Sequence, residues 1–483
     1  MKSESATIVV GNETLSLSDL AAEISGAKQN ILKIVSSVEQ GTYVPILVDN
    51  SMNSHLAILA AAEIGLDVAI IDSNTTSEVL NRILEKLNSS VGIIANPQII
   101  VPASPTITRF TTIQRESEEE NLGHTEQTLG GSVIVFSSGS TGDPKGVILP
   151  WENLIRWAKI KIRYRSDGNS KQTQRTVLNF SPISWVLGLL NLLSVLLGAK
   201  LVTLNPNQFT PNQLLLEIQK LQPSHVTMTT NFAKVLSKAA KEWKSGPIES
   251  IQEVMIGSGK VMWETVNLFS KIIPKTAIFT HNLSATEAFR MFELNIAFGE
   301  IPTSGQVPLG APRVAENVRL QPTDNENKYE IFTSGDIAVG YVNEKKSKEA
   351  FSVDNQGKIW WKSGELVSLD IATGDYYHAG RIDNLIKIND HNVQLDEIEG
   401  LFQSHSAVSM ATVFPVEIEE RTRLVAFISW NDGNSLSQHE IAEYLSGSLP
   451  KYALPHKIVS VTSFPLTRSG KIDRAALAKI VAD

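Results

Sequence analysis

Short apolar runs and amphipathic segments alternate along the first hundred residues. Runs rich in Val and Ile predict strands at 44–50 (VPILVDN), 67–72 (DVAIID) and 91–96 (VGIIAN), and segments with helical spacing of apolar residues lie between them at 55–65 and 76–88. Strands that alternate with helices form mostly parallel sheets with helices on both faces. The pattern therefore predicts a wound α/β unit.

The same alternation returns between residues 176 and 243, which predicts a second wound unit. The acidic, glycine-punctuated stretch 115–131 before it is interpreted as an exposed connection. From about residue 300 onward, short runs separated by turn residues are typical of a smaller sheet, and 337–342 (IAVGYV) is one of its expected strands. The last 100 or so residues mix both patterns and have the size of a separate domain.

The expected fold class is therefore α/β. It comprises a large N-terminal domain of two wound α/β subdomains plus a small β-rich subdomain, followed by a small α+β C-terminal domain. One stretch, 185–202 (WVLGLLNLLSVLLGAKLV), is apolar enough to be taken for a membrane span. It is shorter than the roughly 20 residues that a spanning helix needs, and it contains Asn191 and Ser194. A buried helix followed by a strand is the better interpretation, so no membrane span is expected.

The composition narrows the classes of function. The chain has 483 residues, 42% of them hydrophobic, and a formal net charge of −8 that is spread along the sequence, which argues against nucleic acid or an anionic membrane as a partner. It has no cysteine, which excludes disulfides, thiolate metal sites and a cysteine nucleophile. The first residues lack the apolar core of a signal peptide, so we expect a cytoplasmic protein.

Candidate chemistry begins with a loop between two strand-like runs, at 133–149 (VIVFSSGSTGDPKGVIL). Hydroxyl groups, backbone N–H groups exposed at glycine and a mobile cation suit the oxygens of a polyphosphate, although the same residue types form ordinary hairpin turns. The loop differs from a P-loop, in which the lysine is followed by Ser or Thr and leads into a helix. The candidate phosphate-binding residues are Ser137, Ser138, Gly139, Ser140, Thr141, Gly142 and Lys145.

Four later stretches follow this loop: HNLSATEAFR (281–290), KSGELVSLD (362–370), GRIDNLIKINDHNVQLDEIE (380–399) and PLTRSGKIDRAAL (465–477). With the loop they resemble, in order, the signature motifs of the adenylate-forming superfamily, which includes acyl-CoA and aryl-CoA synthetases, firefly luciferases and nonribosomal peptide adenylation domains. The resemblance covers nearly the whole chain. It implies an AMP-forming acid–thiol ligase that uses ATP and Mg²⁺ to make an acyl-adenylate, releases pyrophosphate and transfers the acyl group to a thiol.

The resemblance also implies a role for individual residues. The loop would hold the β- and γ-phosphates, Thr286 would contact a nucleotide phosphate, and Glu287 would bind Mg²⁺. Arg381 matches an arginine near the ribose and phosphate. Lys471 matches the lysine that bridges the carboxylate of the acid and the α-phosphate. The N-terminal nucleotide-binding domain would comprise residues 1–381 and a mobile C-terminal lid domain residues 382–483, with a hinge at Asp383.

Some motif positions depart from the family pattern. Leu283 stands where an aromatic residue usually lies against adenine, and Glu365 replaces the aspartate that contacts the ribose. Asp390 replaces a glycine in the loop that approaches the thiol acceptor. Besides Leu283 and Glu365, the expected nucleotide-binding positions are Ser258, Ser284 and Lys387.

The acid pocket of the family is lined by segments that match 181–188, 227–232, 255–260 and the HNLSATE stretch. Amino-acid-activating members carry an aspartate in the first segment, whereas the best match here is Trp185, which has no charge. An α-ammonium group would be left unpaired, so an uncharged aryl or alkyl carboxylic acid is expected, with simple core packing of Trp185 as the alternative. The pocket residues that we predict are Trp185, Asn231, Gly257 and His281.

The sequence leaves several choices open. The acceptor could be coenzyme A or the phosphopantetheine of an acyl carrier protein. The alternatives to an acid–thiol ligase are a stand-alone amino-acid adenylation enzyme and, because of the departures from the motifs, a non-catalytic nucleotide-binding relative.

Overall fold

The computed structural model describes residues 7–101, 109–112, 130–137, 145–162, 175–257, 259–324, 327–388, 391–405, 407–418, 421–431, 435–465, 472, 474, 476–477 and 480. Up to residue 257 its elements are β1 (Ile8–Val10), β2 (Glu13–Leu15), α1 (Leu17–Val35), β3 (Val44–Val48), α2 (Met52–Glu63), β4 (Val68–Asp72), α3 (Ser77–Leu87), β5 (Val91–Ile94), β6 (Arg109–Thr112), β7 (Ser132–Ser137), β8 (Lys145–Pro150), α4 (Trp151–Ile162), β9 (Thr176–Asn179), α5 (Val186–Leu193), β10 (Lys200–Thr203), α6 (Pro211–Leu221), β11 (His225–Thr229), α7 (Thr230–Lys241) and β12 (Glu253–Gly257).

The remaining elements are α8 (Trp263–Asn267), β13 (Ile278–Leu283), β14 (Phe292–Ala297), β15 (Ala311–Pro312), β16 (Val318–Pro322), β17 (Lys328–Ser334), β18 (Gly340–Tyr341), α9 (Glu344–Ala350), β19 (Phe351–Val353), β20 (Ile359–Leu369), β21 (Tyr376–Arg381), β22 (Leu385–Ile388), β23 (His391–Gln394), α10 (Leu395–Ser404), β24 (Val408–Ile418), β25 (Arg421–Trp430), α11 (Gln438–Ser446) and β26 (Lys457–Ser460).

Two wound sheets form most of the N-terminal part. The first has the order β18-β8-β7-β4-β3-β5-β6, and the second has the order β15-β14-β13-β12-β11-β9-β10-β1-β2. In both sheets the central strands pair in parallel, and β7 and β8 form an antiparallel pair at one side of the first sheet. The two predicted α/β units are therefore present, but the second also recruits the N-terminal hairpin, because β1 pairs in parallel with β10.

The two sheets share a core. One cluster of buried apolar side chains includes residues of both sheets together with α1, α2, α4 and α5. Helix α2 is buried along nearly its whole length, and it packs against α1 and α5. The apolar stretch after Trp185 forms α5, whose residues from Gly188 to Leu193 are buried, followed by β10. The prediction of a buried helix followed by a strand is confirmed.

A third, smaller sheet has the order β16-β17-β20-β19, with β21 paired to β20. The expectation that residues 337–342 belong to this sheet was wrong. Gly340 and Tyr341 instead pair with Ile148 and Val147 of β8 and so extend the first sheet. The open edge of β8 offers backbone hydrogen bonds to this short strand, and the pairing brings Tyr341 close to the start of β8, where Lys145 lies.

The C-terminal part contains the hairpin β22–β23 and the sheet β24-β25-β26, with α10 and α11 packed on a separate apolar core. It contacts the N-terminal part where β21 ends. Gly380 has φ +96°, and a Cβ atom there would collide with the carboxylate of Asp396 in α10. Glycine is therefore required for the close approach of α10 to the residue that precedes Arg381.

Candidate active site

Lys145 is the first residue of β8, in the hairpin β7–β8. The two strands pair in register up to Ser137 and Lys145, so the loop between them joins two adjacent strand ends. The loop residues Ser138, Gly139, Ser140, Thr141 and Gly142 lie outside the described residues, whereas Ser137 is the last residue of β7. The two predicted strands are confirmed as an antiparallel pair whose ends, at Ser137 and Lys145, the loop connects.

Lys145 lies against Glu287. Its Nζ atom is 2.9 Å from Glu287 Oε1 and 3.9 Å from the centre of the Tyr341 ring. The Tyr341 hydroxyl donates to the same carboxylate oxygen over 2.8 Å and accepts a hydrogen bond from Trp361 Nε1 over 2.9 Å. Burial, followed by the negative charge of Glu287, raises the pKa of Tyr341 above its ordinary value. The phenol therefore stays a hydrogen-bond donor at neutral pH.

Glu287 is only 6% exposed and lies in the connection between β13 and β14, where its carbonyl accepts from the backbone N–H of Ala338. Both hydrogen bonds to its side chain go to Oε1. Thr286, directly before it, is partly exposed. The sequence did not predict Tyr341, because a tyrosine in a short apolar run carries no signal for a contact with a carboxylate on another sheet.

A second charged cluster lies on β20 and β21. Glu365 and Arg381 face each other across these strands and form an ion pair, and His378 Nε2 lies 2.8 Å from the other oxygen of Glu365. Burial opposes ionisation of Glu365, but the hydrogen bond and charge of His378, together with Arg381, hold its pKa below the ordinary value. The longer side chain that replaces the usual aspartate is thus held by both Arg381 and His378.

The charges of the Lys145–Glu287 cluster and the Glu365–Arg381 cluster interact. Burial alone would lower the pKa of Arg381, but the charges of Glu365, Asp383 and Glu287 raise it. Four residues that the sequence predicted from separate motifs are therefore brought together: Lys145, Glu287, Glu365 and Arg381. Of the residues in this arrangement, His378 and Tyr341 were missed.

His378 should make stability depend on pH. Burial alone would lower its pKa, but the hydrogen bond and charge of Glu365 raise it above the ordinary 6.5. A group whose pKa is raised by folding stabilises the folded state fully at low pH, and this contribution is lost as pH rises through the folded-state pKa. We expect the stability advantage of the wild type over His378→Gln to be greater at about pH 5.5–6 than at about pH 8.5, as measured by thermal unfolding.

The control for this comparison is His439→Gln, which replaces an exposed histidine at the start of α11. Its difference from the wild type should not follow the same pH course. A pH-independent difference between wild type and His378→Gln would show that the histidine does not bind Glu365 in its charged form.

Arg381 also connects the N-terminal part to α10. Its backbone N–H donates to Asp396 over 3.1 Å, and its carbonyl accepts from Gln394 over 3.0 Å. Asn384 donates to both oxygens of Asp396. Asp383, the predicted hinge, is exposed and lies 3.4 Å from Arg381 Nη2. The chain therefore enters the C-terminal part through a short, hydrogen-bonded turn.

Three of the four predicted pocket segments lie on neighbouring strands, because β12 pairs with both β11 and β13. Strands β12 and β13 pair so that Gly257 faces Asn282. His281 is buried, its Nδ1 lies 2.8 Å from the Ile256 carbonyl, and burial lowers its pKa to about 4. Ser284 donates to Asn282 Oδ1 and accepts from the Arg290 N–H.

The other predicted positions are less closely tied to this site. Leu283 is buried in an apolar cluster with Met291 and Trp361, and Trp185 is partly buried at the start of α5. The backbones of Asn231 and Lys387 lie in α7 and β22. Ser258, Asp390 and Lys471 lie outside the described residues.

Arg474, in the C-terminal motif, contacts α10. Arg474 Nη2 lies 2.8 Å from Glu399 Oε1 in α10, and the same oxygen accepts from Thr412 and from the backbone of Val413. Burial raises the pKa of Glu399, and the charge of Arg474 acts in the opposite direction. Arg474 therefore attaches the segment that follows Lys471 to α10.

The described residues contain neither a helix that could cross a membrane nor a cluster of metal ligands. Within them, no helix combines the length and apolarity needed to cross a membrane. No group of three or more His, Cys, Asp or Glu side chains in the same part of the chain could hold a metal ion by itself.

Comparison with protein families gives two matches. Residues 3–337 match the model of the AMP-binding enzymes, and residues 397–471 match the model of the AMP-binding enzyme C-terminal domain. The chain belongs to the AMP-binding enzyme family. The predicted membership of the adenylate-forming superfamily and the predicted fold class are confirmed, and the family is one of adenylate-forming ligases.

Curated relatives of this family member are distant in sequence. Zwittermicin A synthase ZmaJ of Bacillus cereus is 25% identical over 509 aligned positions, which cover 99% of this chain and 93% of the relative. Tyrocidine synthase 3 of Brevibacillus parabrevis is 24% identical over 503 positions that cover 98% of this chain, but the chain spans only 7% of that much longer protein.

Solved structures share the fold. NpsA of Klebsiella oxytoca, in complex with 3-hydroxyanthranilyl-AMSN, superposes with a TM-score of 0.77 at 19% identity, covering 99% of this chain and 96% of that one. The O-succinylbenzoate coenzyme A synthetase MenE of Bacillus subtilis, in complex with ATP and magnesium ion, gives a TM-score of 0.74 at 19% identity, covering 99% and 97%. At this identity the likeness shows the fold alone.

Proposed function

We propose that this AMP-binding enzyme activates an aryl or alkyl carboxylic acid with MgATP and transfers the acyl group to a thiol. The observation that carries the proposal is the convergence of Lys145, Glu287, Glu365 and Arg381, which come from four separate motifs. Three of them match the family residues without change, and Glu365 retains the carboxylate. Lys145 pairs with Glu287, Arg381 pairs with Glu365, and the charge of Glu287 also acts on Arg381.

The chemistry explains the charges. Attack of a carboxylate on an α-phosphate brings anions together, so catalysis depends on positioning and on fixed positive charge. Lys145 would contact the leaving phosphates, and Arg381 would contact the ribose and α-phosphate. Glu365 would accept hydrogen bonds from ribose hydroxyls, with His378 and Arg381 fixing its orientation.

The residues present fit a magnesium ion that arrives with the nucleotide. Lys145 and Tyr341 both occupy Oε1 of Glu287, and no described residue is bonded to its other carboxylate oxygen. A hard cation prefers oxygen ligands, and Mg²⁺ is commonly held by one or two carboxylates, phosphates and water. Glu287 would hold the ion, which when bound would offset the negative charge of the phosphates.

The C-terminal part would supply the lysine that acts on the acid. We propose that residues 382–483 form a lid that turns at Asp383 and that Lys471 bridges the acid's carboxylate and the α-phosphate. Arg474, held by Glu399, would position the segment that carries Lys471. The residues Thr286, Ser284, Leu283, Ser258 and Lys387 and the β7–β8 loop remain proposed nucleotide contacts.

The acid is proposed to lack an α-ammonium group. Trp185 stands where amino-acid-activating members carry an aspartate, so it offers no negative charge to an ammonium group. Among structures of the same fold, NpsA is in complex with 3-hydroxyanthranilyl-AMSN and MenE is named as an O-succinylbenzoate coenzyme A synthetase. MenE is named as a coenzyme A synthetase, which supports coenzyme A as an acceptor. The phosphopantetheine of an acyl carrier protein remains the second candidate.

ATP–pyrophosphate exchange tests the proposal. The full-length protein should incorporate labelled pyrophosphate into ATP with at least one acid of a panel of aryl, alkyl and amino acids. Exchange with amino acids alone would favour the amino-acid adenylation alternative. Binding of ATP without exchange for any acid would favour a non-catalytic relative, and the proposed function would be wrong.

Trp185 gives a prediction about the acid. Because Trp185 occupies the position of the family's pocket residue, Trp185→Ala should shift the preference toward bulkier acids and leave the KM for ATP within about 2-fold. The measurement is the exchange rate across the acid panel. Trp243→Ala, which alters a tryptophan on the α7 side of the second sheet, is the matched control. A lower stability with an unchanged order of acids would favour core packing.

A further inference from the structure

Polar side chains join the N-terminal and C-terminal parts of the chain. In the described part of the structure, no cluster of buried apolar side chains contains residues from both sides of Arg381. Helix α10 instead meets the N-terminal part through hydrogen bonds and charged groups. A polar interface, unlike a shared apolar core, lets two domains change their relative position. The contacts of α10 therefore decide where the C-terminal part rests.

Two lysines of the second wound unit reach α10. Lys234, in α7, donates to Gln403 Oε1 over 3.0 Å. Lys260, which follows β12, lies with its ammonium nitrogen 3.0 Å from the point that a Cβ atom on Gly400 would occupy. Gly400 and Gln403 are three residues apart and so lie on the same face of α10. That face of α10 therefore rests against both lysines.

Gly400 stands in the interior of α10, where a glycine destabilises a helix relative to alanine. Its backbone is helical, so its conformation does not require glycine. The space beside it does, because the ammonium nitrogen and the last two carbons of Lys260 lie 3.0, 3.7 and 3.9 Å from the Cβ position. The missing Cβ atom thus lets Lys260 lie directly against the helix.

The two ammonium groups are close enough to influence each other. Burial, followed by the charge of Lys260, lowers the pKa of Lys234 to about 8. Burial lowers the pKa of Lys260 as well, and the charge of Glu397, one turn before Gly400, acts in the opposite direction. Glu397 also lies 3.4 Å from Lys328 Nζ of β17. Repulsion between Lys234 and Lys260 weakens their hold on α10, so the loss of one contact should be enough to loosen it.

We propose that Lys234 and Lys260 are positioning residues that dock α10, at Gln403 and Gly400, in the arrangement that the structure shows. This rests on the proposed function and assigns the docking of its lid to particular side chains. Adenylation needs Lys471 at the α-phosphate, whereas transfer needs a thiol at the same acyl group, so a lid docked in one position favours one half-reaction over the other. Loss of the contact should therefore change the two half-reactions unequally.

The experiment measures the two half-reactions separately in the full-length protein. ATP–pyrophosphate exchange reports adenylation, and transfer from a supplied acyl-adenylate is followed with coenzyme A and with pantetheine. Gly400→Leu keeps both lysines and favours a helix, but it fills the space that the Lys260 ammonium occupies. Gln403→Met removes the acceptor of Lys234 and provides a second variant if Gly400→Leu fails to fold.

Each variant should lower one half-reaction by at least about 5-fold, leave the other equal or faster, and leave the KM values for ATP and acid within about 2-fold. Gly447→Ala is the matched control, because a Cβ atom there would lie 3.7 Å from the nearest described atom, an ordinary contact. This control should behave as the wild type. Equal changes in both half-reactions, or no change in either, would overturn the inference and leave the proposed function standing.

Cross-linking tests the contact independently of activity. The chain has no cysteine, so Lys234→Cys together with Gln403→Cys introduces a single pair of thiols. A short, reducible bis-maleimide should join this pair, and adding Gly400→Leu should lower the yield by at least about 5-fold, whereas adding Gly447→Ala should not. An unchanged yield with Gly400→Leu would overturn the inference. Absence of exchange with every acid would contradict the proposed function, and the cross-linking yield would still decide whether this contact docks α10.

Discussion

Lys471→Ala is expected to reduce acyl-adenylate formation by at least about 100-fold while leaving transfer from a supplied acyl-adenylate much less affected. An ammonium group between the acid's carboxylate and the α-phosphate lowers the repulsion of two anions and fixes the angle of attack. One well-placed donor of this kind typically contributes roughly 3 to 4 kcal/mol to the transition state. The effect should appear in pyrophosphate exchange, which reports only the first half-reaction.

Arg474, three residues after Lys471, contacts Glu399 of α10 at 2.8 Å. Lys471 itself lies outside the described residues. Lys457→Ala, at an exposed position of β26 in the same domain, is the control for a general effect of removing a cation. Exchange at a near-normal rate in Lys471→Ala would refute the role and weaken the proposed mechanism.

The hydrophobic periodicity of the sequence predicted the architecture, but it did not predict the sheet to which every strand belongs. The alternation of apolar runs and helices predicted both wound units, because each strand there is buried and carries its own signal. It failed for residues 337–342, since the choice between two sheets depends on which edge is open, and β8 offers one. It also gave no sign that β1 would pair with β10, as this contact joins residues far apart in the sequence.

The residues of the candidate site likewise fall into those that the sequence could predict and those that it could not. Lys145, Glu287, Glu365 and Arg381 could be predicted because each lies in a motif with several fixed neighbours. Their supporting residues could not. His378 is tied to the site by its contact with Glu365, and Tyr341 by its contact with Glu287. Such contacts are created by strand register and packing, which leave no local pattern in a single sequence.

Glu365 stands where the family usually has an aspartate, and its contacts show how the longer side chain is accommodated. A glutamate reaches farther than the usual aspartate, and in the structure its two oxygens are held separately by Arg381 and His378. This arrangement limits the freedom that the extra methylene adds. The substitution is therefore compatible with ribose binding and gives no support to a non-catalytic relative.

Glu287→Gln is expected to slow adenylation by about 100-fold or more and to weaken the response of the rate to magnesium. Glutamine keeps the shape and one oxygen acceptor but removes the negative charge that would hold a divalent cation, and it removes the opposite charge from Lys145, 2.9 Å away. The rate of pyrophosphate exchange is measured as a function of magnesium concentration at saturating ATP and acid.

Two further variants distinguish the charge of the Glu287 carboxylate from its hydrogen bond with Tyr341 and from the loss of any carboxylate. Tyr341→Phe removes the 2.8 Å hydrogen bond to Oε1 but keeps the charge, so it should cost less than about 10-fold and preserve the magnesium response. Glu344→Gln, at an exposed position in the first turn of α9, should have no effect. If Glu287→Gln showed the same magnesium dependence as the wild type, the carboxylate would not bind the ion, and its contact with Lys145 would be structural. A large magnesium effect in Glu287→Gln, together with a small one in Tyr341→Phe, would place the ion at the carboxylate, because only the first substitution removes the charge that a hard cation requires.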